Sequence, residues 1–277
     1  MPHCIVPAAD RILDKSFKVL DKGFVRLVDY MGSDERIVAA ARVSYGTGTK
    51  TFRQDRGLIN YLLKNDHTSP FEQVIFTFHL KMPIFVARQW IRHRTARVNE
   101  ISGRYSVLKD DFYFPDKKVI SLQSSDNKQG RSTDVVPEKL QNKVMKILQR
   151  GQKHSYEDYQ ELIDDEIARE LARINLPLSI YTEMYWQIDL HNFFRFLRLR
   201  IDPHAQFEIR EYAETLLKIG EKVCPIAFEA FRNHIVGAVR FSAVEMDALQ
   251  ALIKNKPVKL DEKQYAEFAK KLKLPVD

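Results

Sequence analysis

The chain has 277 residues, of which 44% are hydrophobic and 29% charged, and its formal net charge is +7. These proportions are typical of a soluble globular protein with one large domain or two modest ones. The excess of basic residues favours anionic partners, which include nucleic acid, an acidic membrane surface, or several phosphate-bearing small molecules bound together.

The two cysteines and the apolar runs exclude further classes of protein. Cys4 and Cys224 have no CxxC spacing and no histidines arranged around them as ligands, so neither a disulfide framework nor a zinc site is expected. Cys224 is interpreted as a small core residue. No run approaches the roughly 18 apolar residues of a membrane span, and the N-terminus lacks a secretory apolar core. We therefore expect a cytoplasmic protein.

The first part of the chain predicts a polar lead-in, a strand pair and two helices. Residues 1–17 form the lead-in, and alternating apolar residues around a Lys-Gly turn predict a strand or short hairpin over 18–32. Ser33 is expected to cap a helix. The apolar side of this helix comprises Ile37, Val38, Ala41 and Val43. A second helix is predicted over Asp55–Asn65.

The middle of the chain predicts a strand, a basic helix and two loops. Residues 71–83, FEQVIFTFHLKMP, are rich in β-branched and aromatic side chains and predict a strand leading directly into a helix that carries Arg88–Arg94. Residues 99–104 contain Gly103 and small polar residues, which suit a loop whose backbone approaches a ligand closely. The polar, turn-rich residues 116–136 predict an exposed loop without chemistry.

The remainder of the chain predicts helices around one strand. Residues 137–176 show helical spacing and are expected to be scaffold. The apolar positions of this region include Val144, Ile147, Leu148, Ile167, Leu171 and Ile174. Residues 179–190 predict a strand, 191–201 a helix, 206–236 continued helix, and 243–273 a charged amphipathic tail.

The stretch from Arg88 to Tyr105 holds five arginines, one histidine and one carboxylate within eighteen residues. In most arginine runs a solvated basic face explains such charge. Here Trp90 and Ile91 are interleaved with the basic residues, so some of the arginines are expected to lie near the core and to need a partner. Glu100 is the nearby acid, and we therefore predict a bound phosphate or diphosphate.

Residues 92–105, RHRTARVNEISGRY, resemble the RHR, seven residues, then Ser signature of flavin-dependent thymidylate synthases, the ThyX family. Residues 67–90 and 176–213 are similar to that family in order and spacing, and the resemblance covers about 18–236. It implies an α+β fold with a mainly antiparallel sheet packed with helices. It also implies a homotetramer whose active sites are shared between subunits, with a catalytic domain over 18–236. The lead-in over 1–17, the exposed loop over 116–136 and the charged helical tail over 237–277, whose role is unknown, lie outside the resemblance.

The resemblance implies reductive methylation of dUMP to dTMP. The carbon donor would be 5,10-methylenetetrahydrofolate, and NADPH would supply hydride through FAD. Partners would be small molecules, with neither nucleic acid nor a membrane involved. Two alternatives remain: a basic nucleic-acid-binding module without catalysis, and an enzyme using the same flavin scaffold on another nucleotide.

The resemblance also implies roles for individual residues. Arg200 is implied as the catalytic residue, because a fixed guanidinium stabilises negative charge on the N3–C4–O4 side of uracil. Binding of dUMP is implied for Gln89, Arg92, Glu100, Ile101, Ser102, Gly103, Arg104, Arg173 and Arg200. Binding of FAD is implied for Ser69, Arg92, His93, Arg94, Glu100, Asp189, His191 and Arg195, with His67 as a further candidate. No metal site is implied.

The sequence departs from the family pattern at three of the implied FAD-binding residues and at one position within the RHR signature. Arg97 stands where serine is frequent, and Asp189 and His191 replace the Asn and Arg of some members. Arg195 likewise replaces an Asn, and its guanidinium can pair with a diphosphate. Ser102 invites interpretation as a nucleophile, but no histidine and acid are spaced to activate it, so we assign it to binding.

Overall fold

The computed structural model describes residues 4–43, 52–125, 130–132 and 134–273. Its strands are β1 (Ser16–Val19), β2 (Gly23–Met31), β3 (Ile75–Pro83), β4 (Arg97–Glu100) and β5 (Tyr181–Asp189). They form one sheet in the order β1-β2-β3-β5-β4, and each neighbouring pair is antiparallel. The expected α+β class with a mainly antiparallel sheet is confirmed.

The helices lie in two compact units, Met1–Phe231 and Arg232–Asp277. Those of the first unit are α1 (Pro7–Asp10), α2 (Asp34–Arg42), α3 (Phe52–Lys64), α4 (Ile84–Trp90), α5 (Glu138–Asp164), α6 (Arg169–Ala172), α7 (Leu190–Arg200), α8 (Phe207–Val223) and α9 (Pro225–Phe231). Those of the second unit are α10 (Ala243–Ile253) and α11 (Glu262–Leu272), after a π-helical turn over Arg232–Val236. Within the ranges given above, none of the helices is long and apolar enough to cross a membrane.

Alternation along the central strands decides which face of the sheet is buried. Phe76, Phe78 and Leu80 of β3 are fully buried, whereas Thr77 and His79 between them are only partly covered. Successive strand residues point to opposite faces, so the apolar set faces the core. Each buried phenylalanine contributes roughly 1.5–3 kcal/mol through removal of apolar surface from water.

An aromatic cluster fixes α4, β5 and α7 against one another. The ring of Trp90, the last residue of α4, lies 5.1 Å from Trp186 of β5 and 4.5 Å from Phe196 of α7. Trp186 and Phe196 are themselves 5.0 Å apart. Because all three side chains are fully buried, the residues that follow Trp90 emerge at a fixed place beside α7.

The N-terminal predictions are confirmed in outline and corrected in detail. The hairpin is formed by β1 and β2, but the predicted lead-in already contains α1 and the start of β1. Ser33 precedes α2 without making a side-chain cap, because its hydroxyl instead accepts a hydrogen bond from the Cys4 thiol at 3.0 Å. Val43 is 83% exposed, so its assignment to the apolar side of α2 was wrong.

Asp34, the first residue of α2, caps a helix that is distant in sequence. Its Oδ2 and Oδ1 accept the backbone N–H groups of Ile226 and Ala227, both at 2.9 Å. These N–H groups belong to the first turn of α9 and have no partner within that helix. Burial raises the pKa of Asp34 to about 6, against the opposing effect of the two hydrogen bonds.

Replacing Asp34 by alanine should lower the free energy of unfolding by about 2 to 3 kcal/mol, because two buried N–H groups lose their acceptor. Chemical denaturation followed by far-ultraviolet circular dichroism measures this. Glu35→Ala is the matched control, since Glu35 is exposed in the same helical turn and should change stability by less than about 0.5 kcal/mol. Equal effects of the two substitutions would contradict the capping role.

The helix predicted over 206–236 is interrupted. α8 ends at Val223, and Cys224 has a non-helical backbone with φ −131° and ψ 66°. Pro225 lacks an N–H and disfavours helical geometry in the residue before it, so a new helix starts at the proline. Cys224 is fully buried, as expected of a core residue, and burial raises the pKa of its thiol.

The long helix α5 is confirmed, but the predicted apolar positions of 137–176 are not all core. Ile147 is 48% exposed and Ile174 is 77% exposed. The described residues of the predicted loop, 116–125, 130–132 and 134–136, contain a short 3₁₀ turn, Lys117–Val119, and Arg131 contacts a buried carboxylate described below.

The second unit is a pair of capped helices. Ser242 and Glu245 form a reciprocal capping box at the start of α10, and Asp261 and Gln264 form another at the start of α11. Lys271 of α11 pairs with Glu245 of α10 at 2.6 Å. These contacts give the predicted charged helical tail a defined two-helix structure.

Candidate active site

The basic segment leaves its helix earlier than predicted. α4 ends at Trp90, and Arg92, His93 and Arg94 follow in a turn in which the His93 N–H donates to the Trp90 carbonyl at 3.0 Å. The prediction of one helix carrying Arg88–Arg94 was therefore wrong. The turn directs the three basic side chains toward α7 rather than spreading them around a helix.

A cleft of about 320 Å³ lies between this turn and α7. It is lined by Arg92, His93, Arg94, Thr95, Ile188, Asn192, Arg195, Leu199 and Arg200. Four of these side chains are guanidinium groups and none is a carboxylate. Such a concentration of fixed positive charge suits a polyanionic ligand such as a diphosphate.

The arginines of the turn are more exposed than predicted. Arg88, Arg92 and Arg94 are exposed, and none of them makes an ion pair with another described residue. Glu100, the nearby acid, accepts a hydrogen bond from Thr182 at 2.6 Å. The expectation that some of these arginines lie near the core is wrong for Arg88, Arg92 and Arg94, and their charges are available to the predicted phosphate or diphosphate.

Arg200 is the half-buried arginine of the cleft. It is the last residue of α7, and its Nε donates to Nε2 of His93 at 3.0 Å while its Nη2 donates to the Gln89 carbonyl at 3.2 Å. Burial lowers the pKa of Arg200. Burial, followed by the charges of Arg200 and Arg195, lowers the pKa of His93 to about 4. The imidazole is therefore neutral at pH 7 and serves as an acceptor that orients the guanidinium.

We expect His93 to titrate near pH 4 in an NMR titration of isotope-labelled histidines. Between pH 4 and pH 6.5, the ordinary pKa of histidine, the unfolded state binds a proton at His93 that the folded state does not. The free energy of unfolding therefore decreases as the pH falls from 6.5 to 4. Arg200→Gln should raise the pKa of His93 while leaving it below 6.5, because burial remains. A value near 6.5 in the unsubstituted protein would contradict this geometry.

Of the residues expected to bind FAD, Asp189, His191 and Arg195 lie at the start of α7 or within it, whereas Glu100 ends β4. Asp189 is the N-cap of α7, where its Oδ1 accepts the Asn192 N–H at 2.9 Å. His191 and Arg195 follow one helical turn apart, and Arg195 lines the cleft. Ser69 is exposed just before a 3₁₀ turn whose Phe71 packs against Phe194 of α7. His67 is also exposed, with its ring 5.8 Å from that of Tyr61 rather than in the cleft.

A second group of predicted residues lies at the end of β4. Residues 97–100 form a strand paired with β5, so the predicted loop begins only after Glu100. The Ile101 N–H donates to the Glu183 carbonyl at 2.9 Å. A tight turn follows, in which Ser102 accepts from the N–H groups of Arg104 and Tyr105.

Gly103 is buried at the centre of that turn because Arg173 passes over it. A Cβ at this position would lie 3.2 Å from Cδ of Arg173 and 3.1 Å from Cδ1 of Leu108. Glycine therefore permits the close approach of the two segments. Arg104 forms an exposed ion pair with Glu170 at 3.2 Å, which contributes little to stability and leaves the guanidinium free to exchange partners.

The structure thus brings the predicted dUMP residues together in two groups. Gln89, Arg92 and Arg200 form the first, which we call the cleft group. The second, which we call the turn group, comprises Glu100, Ile101, Ser102, Gly103, Arg104 and Arg173. In the described part of the chain no hydrogen bond or ion pair joins the groups, and no histidine contacts Ser102.

Sequence reasoning missed several residues of the site. Thr95, Asn192 and Leu199 line the cleft, and the last two follow from helical spacing, since they lie three residues before and four after Arg195. Gln206 lies in the segment after Arg200 that resembles the family, but nothing local indicated that Gln206 and Glu208 are linked to Gln89. No group of three or more His, Cys, Asp or Glu side chains in the described ranges could hold a metal ion.

The chain is similar to known proteins over most of its length. Residues 26–226 match the family model described as thymidylate synthase complementing protein. A flavin-dependent thymidylate synthase of Treponema denticola is 64% identical over 94% of this chain and 98% of its own length. The chain belongs to the flavin-dependent thymidylate synthase family. It is an enzyme of the methyltransferase class that this family represents.

Other members extend the match beyond the predicted limits. Residues 239–274 match the thymidylate synthase ThyX C-terminal domain, so the family resemblance also covers most of the tail that the sequence analysis left outside it. A flavin-dependent thymidylate synthase of Treponema pallidum is 55% identical over 98% of this chain and 89% of its own. Among solved structures, the chain resembles a UMP/dUMP methylase, PolB from Streptomyces cacaoi, crystallised with 5-Br dUMP. The two sequences are 33% identical, the TM-score is 0.71, and the match covers 79% of this chain and 98% of PolB.

Proposed function

We propose that this enzyme converts dUMP to dTMP by reductive methylation, with 5,10-methylenetetrahydrofolate as carbon donor and NADPH as source of hydride through FAD. The observation that carries the proposal is the cleft between the RHR turn and α7, where four guanidinium groups meet without a carboxylate. All four of the ligands are anions at neutral pH. The relatives named as flavin-dependent thymidylate synthases and the dUMP analogue bound to PolB support the choice of substrate and cofactor.

The cleft fits the diphosphate of FAD. Arg92, Arg94 and Arg195 have no ion-pair partner among the described residues, and a diphosphate would compensate their charges. FAD supplies hydride-transfer chemistry when bound. The residues that would hold it are Ser69, Arg92, His93, Arg94, Glu100, Asp189, His191 and Arg195. The cap formed by Asp189 leaves lone pairs on its carboxylate for a ribose hydroxyl.

Arg200 would act on the pyrimidine. Uracil C5 becomes nucleophilic as negative charge develops on the N3–C4–O4 side, and a fixed cation there stabilises that charge. His93 and the Gln89 carbonyl already orient this guanidinium, and its half-burial strengthens its field relative to an exposed arginine. The remaining N–H donors of Arg200 are free for the base.

The turn group would hold the dUMP phosphate. The backbone N–H groups of Ser102 and Gly103, the Ser102 hydroxyl and the guanidinium groups of Arg104 and Arg173 are donors of the type that grip phosphate. The ion pair between Arg104 and Glu170 is exposed and weak, so a dianionic phosphate would compete with Glu170 for the Arg104 guanidinium.

We further propose that the enzyme is a homotetramer in which the cleft group of one subunit meets the turn group of another. The absence of any polar contact between the two groups within the described residues of one chain supports this arrangement. So does a run of exposed apolar side chains, which a second copy would cover. The run comprises Leu140, Ile147, Leu162, Ile167, Leu171, Ile174 and Leu178.

A second candidate function is methylation of UMP. PolB has also been crystallised with 5-Br UMP, and its structure resembles this chain equally well, with a TM-score of 0.71. Separate turnover assays with dUMP and UMP decide between the two substrates. We expect dUMP to be preferred, on the strength of the closer relatives.

The test of the proposed function is an absorption spectrum of the purified protein, followed by anaerobic addition of NADPH with and without dUMP. A flavin spectrum that NADPH bleaches at a rate dependent on dUMP supports the proposal. A colourless protein that binds no added FAD, and that binds nucleic acid with steep salt dependence, would instead favour the basic nucleic-acid-binding module.

A further inference from the structure

A buried carboxylate is connected to the side chain of Gln89 by hydrogen bonds. Glu208, near the start of α8, is only 2% exposed. Its Oε2 accepts from Nε2 of Gln206 at 2.8 Å, and Oε1 of Gln206 accepts from Nε2 of Gln89. We call these three residues the amide network. It joins the cleft group to α8.

Arg131 and Tyr113 hold the carboxylate in place. Oε1 of Glu208 accepts from Nη2 of Arg131 at 2.5 Å and from the Tyr113 hydroxyl at 3.2 Å. Arg131 is fixed in turn, since its Nη1 donates to the Val119 carbonyl at 3.0 Å and its guanidinium lies 5.6 Å from the ring of Phe207. Thus the loop over 116–136 supplies the cation that compensates the buried charge.

The carboxylate fixes the direction of both amides. A carboxylate only accepts hydrogen bonds, so the amide nitrogen of Gln206 must face Glu208 and its oxygen must face Gln89. Gln89 therefore uses its amide nitrogen toward Gln206. Its Oε1 accepts no hydrogen bond from any described residue and remains an acceptor for a ligand.

Gln89 also adjoins the group that meets the base. Arg200 donates to the Gln89 backbone carbonyl at 3.2 Å, so both residues approach the same part of the ligand. On the proposed function, that part is the N3–C4–O4 edge of the pyrimidine. Uracil presents an N–H at position 3, whereas cytosine presents a lone pair that an amide oxygen repels.

We propose that Arg131, Glu208 and Gln206 are positioning residues that hold the Gln89 amide with its oxygen toward the nucleotide, and thereby select uracil over cytosine. The inference rests on the proposed function. Without the network, the Gln89 amide rotates and donates to cytosine N3. Discrimination then comes to depend on the remaining contacts of the base.

The test is calorimetric titration of the FAD-loaded enzyme with dUMP and with dCMP. Gln206→Met keeps the side-chain volume but removes both hydrogen bonds, and should reduce the ratio of dUMP to dCMP affinity about tenfold. Arg131→Met, in the loop, should reduce the same ratio. Gln89→Met should also reduce it, and adding Gln206→Met to Gln89→Met should reduce it no further, because the network acts only through Gln89.

The control is Asp55→Asn, which breaks the partly buried Arg42–Asp55 ion pair, 2.5 Å long, between α2 and α3. It should leave the ratio unchanged, even if it lowers stability. An unsubstituted enzyme that prefers dUMP, together with unchanged ratios in Gln206→Met and Arg131→Met, would overturn the inference alone. An unsubstituted enzyme that binds neither nucleotide would overturn the proposed function instead.

Discussion

Replacing Arg200 by alanine is expected to reduce thymidylate formation to about 0.1% of the unsubstituted rate or less, the upper range for removal of one group that stabilises developing negative charge. Arg200 is the last residue of α7, and its hydrogen bonds are to His93 and the Gln89 carbonyl, so the fold should tolerate its loss. FAD content and subunit assembly should therefore be largely retained. Turnover, the flavin spectrum and light scattering measure these three properties.

Arg198→Ala provides the matched control for this experiment. Arg198 lies two residues earlier on the same helix, is exposed, and does not line the cleft. It should retain most of the activity. Arg200→Lys separates charge from geometry: lysine keeps the positive charge but cannot donate to two neighbours in a fixed plane, so we expect activity well below that of arginine. Unchanged turnover in Arg200→Ala would refute the assignment.

Two inactive variants are expected to restore activity when they assemble together. Arg200→Ala destroys the cleft group, and the double substitution Arg104→Ala with Arg173→Ala destroys the turn group. If each site takes one group from each of two subunits, random co-assembly leaves about a quarter of the sites with both groups intact. Co-expression with two affinity tags, followed by a turnover assay, should give about a quarter of the unsubstituted activity.

The control is a mixture of the two purified variants under conditions in which subunits do not exchange. It should show only the residual activity of the parents. Co-assembled tetramers that are no more active than this mixture would contradict shared sites, and would require that both groups of one chain serve one nucleotide. Mixed assemblies of Arg200→Ala with Arg195→Ala, both of which line the same cleft, should likewise show no restoration.

Much of the fold followed from patterns that are local in the chain. The hairpin, β3, β5 and α7 were predicted because alternation or a helical stripe identifies a buried face within about ten residues. The break at Pro225 was equally local, since proline cannot continue a helix, but the prediction of one helix over 206–236 overlooked it. By contrast, no proline or glycine in the sequence marks the end of α4 at Trp90. The position of this helix end depends on how Trp90 packs against β5 and α7.

The site was predicted less completely than the fold. The resemblance to the family predicted Arg200, His93 and the turn group as site residues. In the structure, Arg200 and His93 line one cleft, and the turn group lies at the end of β4. The role of Asp34 as a cap could not be predicted, because its partners Ile226 and Ala227 are 192 and 193 residues away. The same holds for the amide network, in which Gln89 and Gln206 are 117 residues apart.

The sequence by itself determined the family, the alternation that buries one face of the sheet, and the excess of positive charge near the RHR motif. The tertiary structure alone decided which arginine is half-buried, which histidine lies beside it with a lowered pKa, and which carboxylate is linked through Gln206 to Gln89. The reason is physical. Hydrophobic periodicity is a property of neighbouring residues, whereas burial, pKa and hydrogen-bond direction depend on groups that only folding brings within a few ångströms.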